Sequence, residues 1–228
     1  MFKNILTNND CYKVNRTITP KGVMVHSTGC NQPKLSVWAS LWNKPGVEAC
    51  VHAFIGKNSD GNVEVMQTLP WTHRGWHAGT GTDGKSANNT HISFEICEDD
   101  LTDPEYFKEV YNEAVKLCAS LCQQFGLNPY TDVICHSEGY QQGIASNHAD
   151  VMHWFPKHGK TMDMFRKDVK ALMDDSTKYE PGKWSEEARK WASENGFIAG
   201  YGNGDYGWGD AVTREQLAVI LYRIFKEN

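Results

Sequence analysis

The hydrophobic positions of residues 1–175 alternate between short apolar runs and longer stretches with helical spacing. Runs of strand length occur at Gly22–His26, Cys50–Ile55 and Val63–Gln67. Each is too short for a helix and is typical of a buried strand. Asp60 and Gly61 lie between the second and third runs, and an Asp-Gly pair at such a place predicts a β-hairpin.

A stricter alternation marks His91–Cys97. Because successive side chains of a strand point to opposite faces, this segment predicts a strand with one apolar and one mixed face. The apolar set is Ile92, Phe94 and Ile96, and the other set is Ser93, Glu95 and Cys97. Thr131–Cys135 is a further predicted strand.

Three stretches carry apolar residues three and four positions apart, the spacing of an amphipathic helix. The clearest runs from Phe107 to Phe125 and is followed by Gly126, a common helix terminator. The others are Leu35–Trp42 and a closing helix over Met162–Leu172. Strands interleaved with helices predict an α/β fold with a mixed central sheet and helices on its faces.

The pattern changes after residue 175. Residues 176–183 are polar and contain Pro-Gly, which predicts a linker. Residues 184–228 then form a small helical unit with two helices around a glycine-rich loop at 200–207. The first helix is expected over Trp184–Asn195 and ends at Gly196. The second opens with a capping box, in which Thr213 is the N-cap and Gln216 follows three residues later.

Composition narrows the classes of partner. The net charge is −5 and no run of Lys or Arg occurs, which argues against a nucleic-acid ligand. No apolar run approaches the ~20 residues that span a bilayer, so no membrane insertion is expected. Residues 1–20 lack the apolar core of a secretory signal, which predicts synthesis in the bacterial cytoplasm without a signal peptide. Most of the seven cysteines are interpreted as small buried side chains in a chain folded under reducing conditions.

Two histidines stand at the ends of apolar strands, His26 and His136. Strand ends border the ligand crevice of an open α/β sheet, so the two imidazoles could share one metal ion. Catalytic zinc takes three protein ligands and keeps a fourth position for water. The segment after His136 offers His148, Asp150 and His153 as third ligand, and spacing alone does not choose among them.

Residues 18–175 resemble the zinc amidase family shared by bacterial and phage N-acetylmuramoyl-L-alanine amidases and animal peptidoglycan-recognition proteins. Six short motifs in family order carry the resemblance. They are 23–29 around His26, 51–56 around His52 with its Asp-Gly turn, 76–79 with Trp76 and His77, 89–96 around Glu95, 135–138 around His136, and 148–150. The resemblance implies the peptidoglycan-recognition fold, a Zn cofactor and peptidoglycan as substrate. The bond cut would be the amide between N-acetylmuramic acid and L-alanine.

The same resemblance implies roles for individual residues. His26, His136 and Asp150 match the zinc ligands. His148 stands where the family commonly has a Lys that stabilises the developing oxyanion, so its contribution would depend on its protonation. His153 remains the main competitor for the third ligand position.

Glu95 matches the position of a catalytic carboxylate in some members. Other members use a Tyr beside the position of His52, but Val51 stands there and cannot accept a proton. Glu95 is therefore the predicted general base. Four further residues are expected to line the substrate site, the two tryptophans by stacking on sugar: His52, His77, Trp71 and Trp76.

The C-terminal unit resembles a single S-layer homology motif. The matching residues are Trp191, Ala192, Asn195, Gly196, 200–202 and 212–218. Such motifs commonly occur in threes and bind wall-linked polysaccharide, so a secondary wall polysaccharide is a candidate partner. A single copy of about 45 residues is near the lower limit for an independent core, which predicts a homo-oligomer formed through this module. Together these features suggest a phage endolysin released by a holin, and a host autolysin or a prophage remnant is the alternative origin. The alternative is a peptidoglycan-binding protein of the same fold that does not hydrolyse its ligand.

Overall fold

The chain divides into two compact units, Met1–Met173 and Asp174–Asn228. The structure is a computed structural model, and it describes residues 1–176, 181–198, 206, 208 and 217–222. The first unit contains all six strands and every candidate site residue.

A six-stranded mixed sheet forms the centre of the first unit. Its strands are β1 (Phe2–Lys3), β2 (Gly22–Asn31), β3 (Ala53–Lys57), β4 (Val63–Gln67), β5 (His91–Glu98) and β6 (Val133–Cys135). Their order across the sheet is β1-β4-β3-β5-β2-β6. β3 and β4 form the predicted antiparallel hairpin, and the other neighbouring pairs are parallel. The predicted α/β fold with a mixed central sheet is confirmed.

Helices flank this sheet. They are α1 (Asp10–Val14), α2 (Leu35–Trp42), α3 (Pro104–Phe125), α4 (Pro129–Asp132), α5 (His136–Gln141) and α6 (Met162–Ser176). α3 begins three residues before the predicted start because Asp103 caps it, accepting hydrogen bonds from the N–H groups of Glu105 and Tyr106. It ends at Gly126, whose φ of 66° favours glycine. Among the described residues, no helix is both long enough and apolar enough to cross a membrane.

The main core lies between one face of the sheet and α3. The apolar side chains of β5 on this face, Ile92, Phe94 and Ile96, are fully buried. They pack in one cluster with Val110 and Ala114 of α3. The face predicted from the alternation in β5 is therefore confirmed.

The opposite face carries two smaller apolar clusters instead of one continuous core. One joins Leu35 and Trp38 of α2 to Phe54 of β3. The other contains Met24 and Ile134. His26 of β2 and Glu95 of β5 are paired in register on neighbouring strands. Polar side chains therefore interrupt the apolar surface at this point of the sheet.

The cysteines follow the predicted pattern only in part. Cys97, Cys118, Cys122 and Cys135 are buried free thiols, as expected for small core side chains, and Cys30 is exposed. Cys11 and Cys50 form a disulfide across 39 residues. This pairing differs from the expectation of reduced cysteines, because spacing in the sequence does not reveal which loops approach each other.

The second unit contains α7 (Glu186–Glu194), within the stretch predicted to be helical. Gly196 follows it with a φ of 71°, and the N–H groups of Phe197 and Ile198 donate to the carbonyl of Ala192. Residues 217–222 are also helical. The capping box at 213–216 and, apart from Tyr206, the glycine-rich loop at 200–207 lie outside the described residues.

Candidate metal centre and cleft

A cleft of about 630 Å³ opens at the carboxyl ends of β2, β5 and β6. Ligands of open α/β sheets bind at this edge, because strand ends and the loops that follow them converge there. The cleft is lined by Ser27, Thr28, Gly29, Trp76, His77, Gly79, Glu95, Glu98, Leu101, His136, Ser146, His148, Ala149, Asp150 and His153. Five of the six sequence motifs, all except 51–56, therefore contribute residues to one cleft.

Three side chains converge in this cleft in the geometry of a zinc site. Nδ1 of His26 lies 2.9 Å from Oδ2 of Asp150, and Nδ1 of His136 lies 3.1 Å from Nδ1 of His26. The remaining side of the triangle, from His136 Nδ1 to Asp150 Oδ2, is 3.7 Å. Tetrahedral zinc with bonds of about 2.0–2.1 Å separates its ligand atoms by about 3.3 Å. The three residues therefore fit one zinc ion, and the cluster includes neither His148 nor His153.

His136 is positioned by the junction between β6 and α5. It is the first residue of α5, and the N–H of Cys135 before it donates to Oε2 of Glu138 over 3.0 Å. Arg166 of α6 donates to both carboxylate oxygens of Glu138, at 3.0 and 2.9 Å, and to the carbonyl of Val133. A bidentate arginine–carboxylate pair has a defined geometry, so it holds strand and helix in one arrangement.

The outer nitrogen of each histidine in the cluster has its own partner. Nε2 of His26 lies 3.0 Å from Nδ1 of His77, and Nε2 of His136 lies 3.4 Å from Oγ of Ser146. The backbone N–H of His77 in turn donates to Oδ1 of Asn88. Such partners fix the tautomer and orientation of a metal-binding imidazole. Ser146 was not predicted from the sequence, where its one signal is its place two residues before His148.

The protonation of the cluster suits a metal ion. Burial lowers the pKa of His136 to about 4 and holds the pKa of His77 well below its usual value. Burial alone would raise the pKa of Asp150, but the hydrogen bond and charge of His26 hold it below its usual value. Neutral imidazole and ionised carboxylate are the forms that ligate zinc.

Glu95 is a half-buried residue that lines the cleft. Its Oε2 is buried and has no hydrogen-bond partner among the described residues. Burial, followed by the charges of Asp150 and Glu98, raises its pKa well above the usual value. A strongly shifted carboxyl group in a cleft is characteristic of a functional site.

His148 lies on the surface of the same cleft. Its ring centroid is 4.6 Å from that of His136, and its Nδ1 is 3.2 Å from Oγ of Ser146. Ser146 therefore contacts both histidines at once. The ring of His148 is exposed and available to a ligand in the cleft.

The four residues expected to contact substrate divide into two pairs. Trp76, which is 41 % exposed, and His77 line the cleft. His52 and Trp71 do not, and the structure corrects the prediction for both.

His52 is instead a buried residue that connects backbone segments. It is fully buried; its Nε2–H donates to the carbonyl of His73, and its Nδ1 accepts from the N–H of Ser93. Burial lowers the pKa of His52 to about 4. Trp71 stacks on this ring, with centroids 6.3 Å apart. The pair therefore ties β5 to the loop that follows β4.

A second polar pair in the cleft was not predicted as such. Oε1 of Glu98, which is 2 % exposed, accepts from Nε2 of His153 at 2.8 Å and from the N–H of Gly29 at 2.9 Å. From the sequence, His153 was predicted only as a competing metal ligand. The one signal for Glu98 was a charged residue at the end of an apolar strand.

The family model for N-acetylmuramoyl-L-alanine amidase matches residues 16–154 of the 228. The chain belongs to this amidase family. A curated relative, N-acetylmuramoyl-L-alanine amidase CwlA of a Bacillus species, is 37 % identical over 75 residues. This match covers 33 % of the chain and 29 % of CwlA, so it spans less than a third of that relative's length.

Solved structures share the amidase fold. The structure of PlyL matches with a TM-score of 0.58 and 21 % identity, and covers 74 % of this chain and 96 % of that one. The Staphylococcus aureus hydrolase AmiA in complex with its ligand matches with a TM-score of 0.55 and 23 % identity. That match covers 70 % of this amidase and 74 % of AmiA. At such identities the likeness establishes the fold of the amidase unit.

Proposed function

We propose that the chain is a zinc-dependent N-acetylmuramoyl-L-alanine amidase, which hydrolyses the amide between N-acetylmuramic acid and L-alanine in bacterial peptidoglycan. One observation carries the proposal. In a chain of this family, His26, His136 and Asp150 bring three ligand atoms together in a cleft at the carboxyl edge of the sheet. The three atoms leave a tetrahedral metal one position for water or substrate.

A zinc ion at this site would lower the pKa of a water molecule toward ~7 and polarise the amide carbonyl. Glu95 is the general base of the proposed reaction. It is the register partner of His26 on the adjacent strand and lines the same cleft as His136 and Asp150, which supports this role. A carboxylate here takes the proton of the attacking water and passes it to the leaving amine.

His148 has the role of oxyanion stabiliser in this proposal. It stands beside His136 and is exposed to the cleft. Nε2–H of His136 can donate to Oγ of Ser146, and the hydroxyl of Ser146 can donate to Nδ1 of His148. His148 then carries its ring proton on Nε2, where it can donate to a charged oxygen. A donor aimed at developing charge contributes about 3–4 kcal/mol of transition-state stabilisation.

The decisive experiment is product analysis with the full chain loaded with zinc. Incubation with purified peptidoglycan should release stem peptides with a free L-alanine amino group and create no new reducing sugar ends. A chelator should stop the release, and added zinc should restore it. New reducing ends, or no products at all, would contradict an amidase. Binding to peptidoglycan without any release would instead support the non-hydrolytic alternative.

The cellular setting proposed here is that of an endolysin made in the bacterial cytoplasm and released to the wall by a holin. The resemblance of 191–218 to an S-layer homology motif supports wall attachment and self-association through the second unit. Trp184, Trp191 and Phe197 of that unit are largely exposed, which leaves apolar surface for a partner. Light scattering of the full chain at micromolar concentration tests self-association, and a monomer would contradict it. Cosedimentation with intact walls and with walls stripped of secondary polysaccharide tests whether that polysaccharide is the ligand of the second unit. Loss of binding to the stripped walls is expected.

A further inference from the structure

The cleft lining contains a second group of hydrogen-bonded polar side chains, Glu98 and His153, in addition to the proposed metal site. Glu98 is almost fully buried, and its Oε1 receives hydrogen bonds from Nε2 of His153 and the N–H of Gly29. The side chain of His153 is 30 % exposed and lines the cleft. Among the described residues none hydrogen-bonds to its Nδ1. One edge of this ring is therefore held by a buried carboxylate, and the ring is partly exposed where it lines the cleft.

Glu98 and His153 offer hydrogen-bond acceptors to a ligand. With the proton of His153 on Nε2, facing Glu98, the lone pair of Nδ1 is available to a donor. The carboxylate of Glu98 adds negative charge, and the cleft lining contains no Lys or Arg among the described residues. Such a wall binds N–H groups and repels a second carboxylate.

The distance of Glu98 and His153 from the proposed metal site indicates which part of the substrate would contact them. Glu98 follows Glu95 by three residues on β5, a rise of about 10 Å along a strand. His153 follows Asp150 by the same number of residues. In the proposed substrate, the α-carboxyl group of the second stem residue lies about 7 Å beyond the amide that is cut, since two extended residues span roughly that length. Glu98 and His153 line the same cleft as His136 and Asp150.

We propose that Glu98 and His153 form a subsite that selects peptide stems whose second residue carries a carboxamide in place of its α-carboxylate. The carboxamide N–H groups donate to Nδ1 of His153 and to the Glu98 carboxylate. A free α-carboxylate at the same place meets Glu98 with like charge and without a donor. This inference rests on the proposed function, because it takes the amidase substrate as the ligand.

Two synthetic probes test it, N-acetylmuramoyl-L-alanyl-D-isoglutamine and its isoglutamate counterpart, which differ only at that group. The full-length zinc-loaded chain is compared with Glu98→Gln, His153→Phe and the control Glu113→Gln. Glu113 lies on α3, outside the cleft lining. Hydrolysis gives kcat/KM for each probe. Calorimetry with Asp150→Ala, which is expected to be inactive, gives a binding ratio that needs no turnover.

The wild-type chain and Glu113→Gln should favour the carboxamide probe by about tenfold or more, as expected when one like-charge contact is avoided. Glu98→Gln and His153→Phe should bring that preference to within about twofold. Equal use of both probes by the wild type, or an unchanged preference in both cleft variants, would overturn the subsite while leaving the amidase intact. If neither probe is hydrolysed, peptidoglycan digestion decides the proposed function, and the calorimetric ratio alone decides the subsite. If Glu98→Gln does not fold, the probe preference of His153→Phe alone tests the subsite.

Discussion

Nε2 of His26 lies 3.0 Å from Nδ1 of His77, so the inner histidine of the proposed metal site is oriented by a second histidine that lines the cleft. This contact leaves Nδ1 of His26 to face Asp150 and His136. We expect His77→Ala to weaken zinc binding by about 10–100-fold, the usual effect of losing such a partner. His77→Asn, whose side-chain oxygen can accept the same hydrogen bond, should retain more affinity. Competition with a chromogenic chelator measures both, and equal affinity in wild type and His77→Ala would contradict this role.

Alanine substitutions of Asp150 and His153 are expected to have opposite effects on zinc content, because only Asp150 is proposed as the third ligand. Asp150→Ala removes one of the three converging atoms, so the purified variant should lose stoichiometric zinc. His153→Ala should keep a full equivalent, because Nε2 of His153 is bound to Glu98. Metal analysis after dialysis against trace chelator separates the two. Zinc loss in His153→Ala together with retention in Asp150→Ala would assign the ligand the other way.

Glu95→Gln preserves the shape of the side chain but removes its ability to take a proton. We expect the variant to bind zinc normally and to lose about 10²–10⁴-fold in kcat on muropeptide substrate. Turnover near the wild-type rate would exclude Glu95 as the general base. Thermal unfolding checks that the change is chemical, since a neutral amide should not destabilise a position where burial already disfavours the charged form.

His148 is expected to act through a hydrogen bond to the oxyanion. His148→Ala should lower kcat by about 10²–10³-fold with zinc content unchanged. His148→Lys, which restores the residue common in the family, should recover a large part of that loss. Full activity in His148→Ala would remove this residue from the mechanism.

His52 should make the fold sensitive to mild acid. Its pKa is about 4 in the folded chain and near 6.5 when unfolded, so between these values the unfolded state binds a proton that the folded state does not. Stability therefore falls as pH is lowered from about 6.5 to 4, with a contribution of about 3 kcal/mol from this residue. Urea unfolding of the zinc-free protein at pH 7, 5.5 and 4 measures it. His52→Asn should flatten the dependence, and an unchanged slope would show that other groups dominate.

Sequence patterns predicted the elements and part of the site because those signals are local. The alternation around Glu95 and the strands ending in His26 and His136 needed no knowledge of distant contacts. Asp150 came from resemblance, since spacing left three candidates. The parallel pairing of β2 with both β5 and β6, which brings the histidines together, is non-local and became visible only in the structure.

The errors have the same physical origin. His52 belongs to a motif next to the site, but a motif does not show that its ring points into the core toward Ser93. The contact between Glu98 and His153 joins residues 55 positions apart, and the disulfide joins Cys11 of α1 to Cys50, 39 positions later. Such pairings depend on how loops settle over the sheet edge, which hydrophobic periodicity does not describe.

The bidentate contact of Arg166 with Glu138 limits how far the chain can be truncated without loss of function. The three residues proposed to hold zinc lie between positions 26 and 150, and the family match ends at 154, yet Arg166 holds the start of the helix that carries His136. A fragment trimmed to the matched segment would contain every residue of the metal cluster and lack the guanidinium that aligns one of them. The smallest working fragment must therefore include α6, whose contribution to the chemistry is made entirely at a distance.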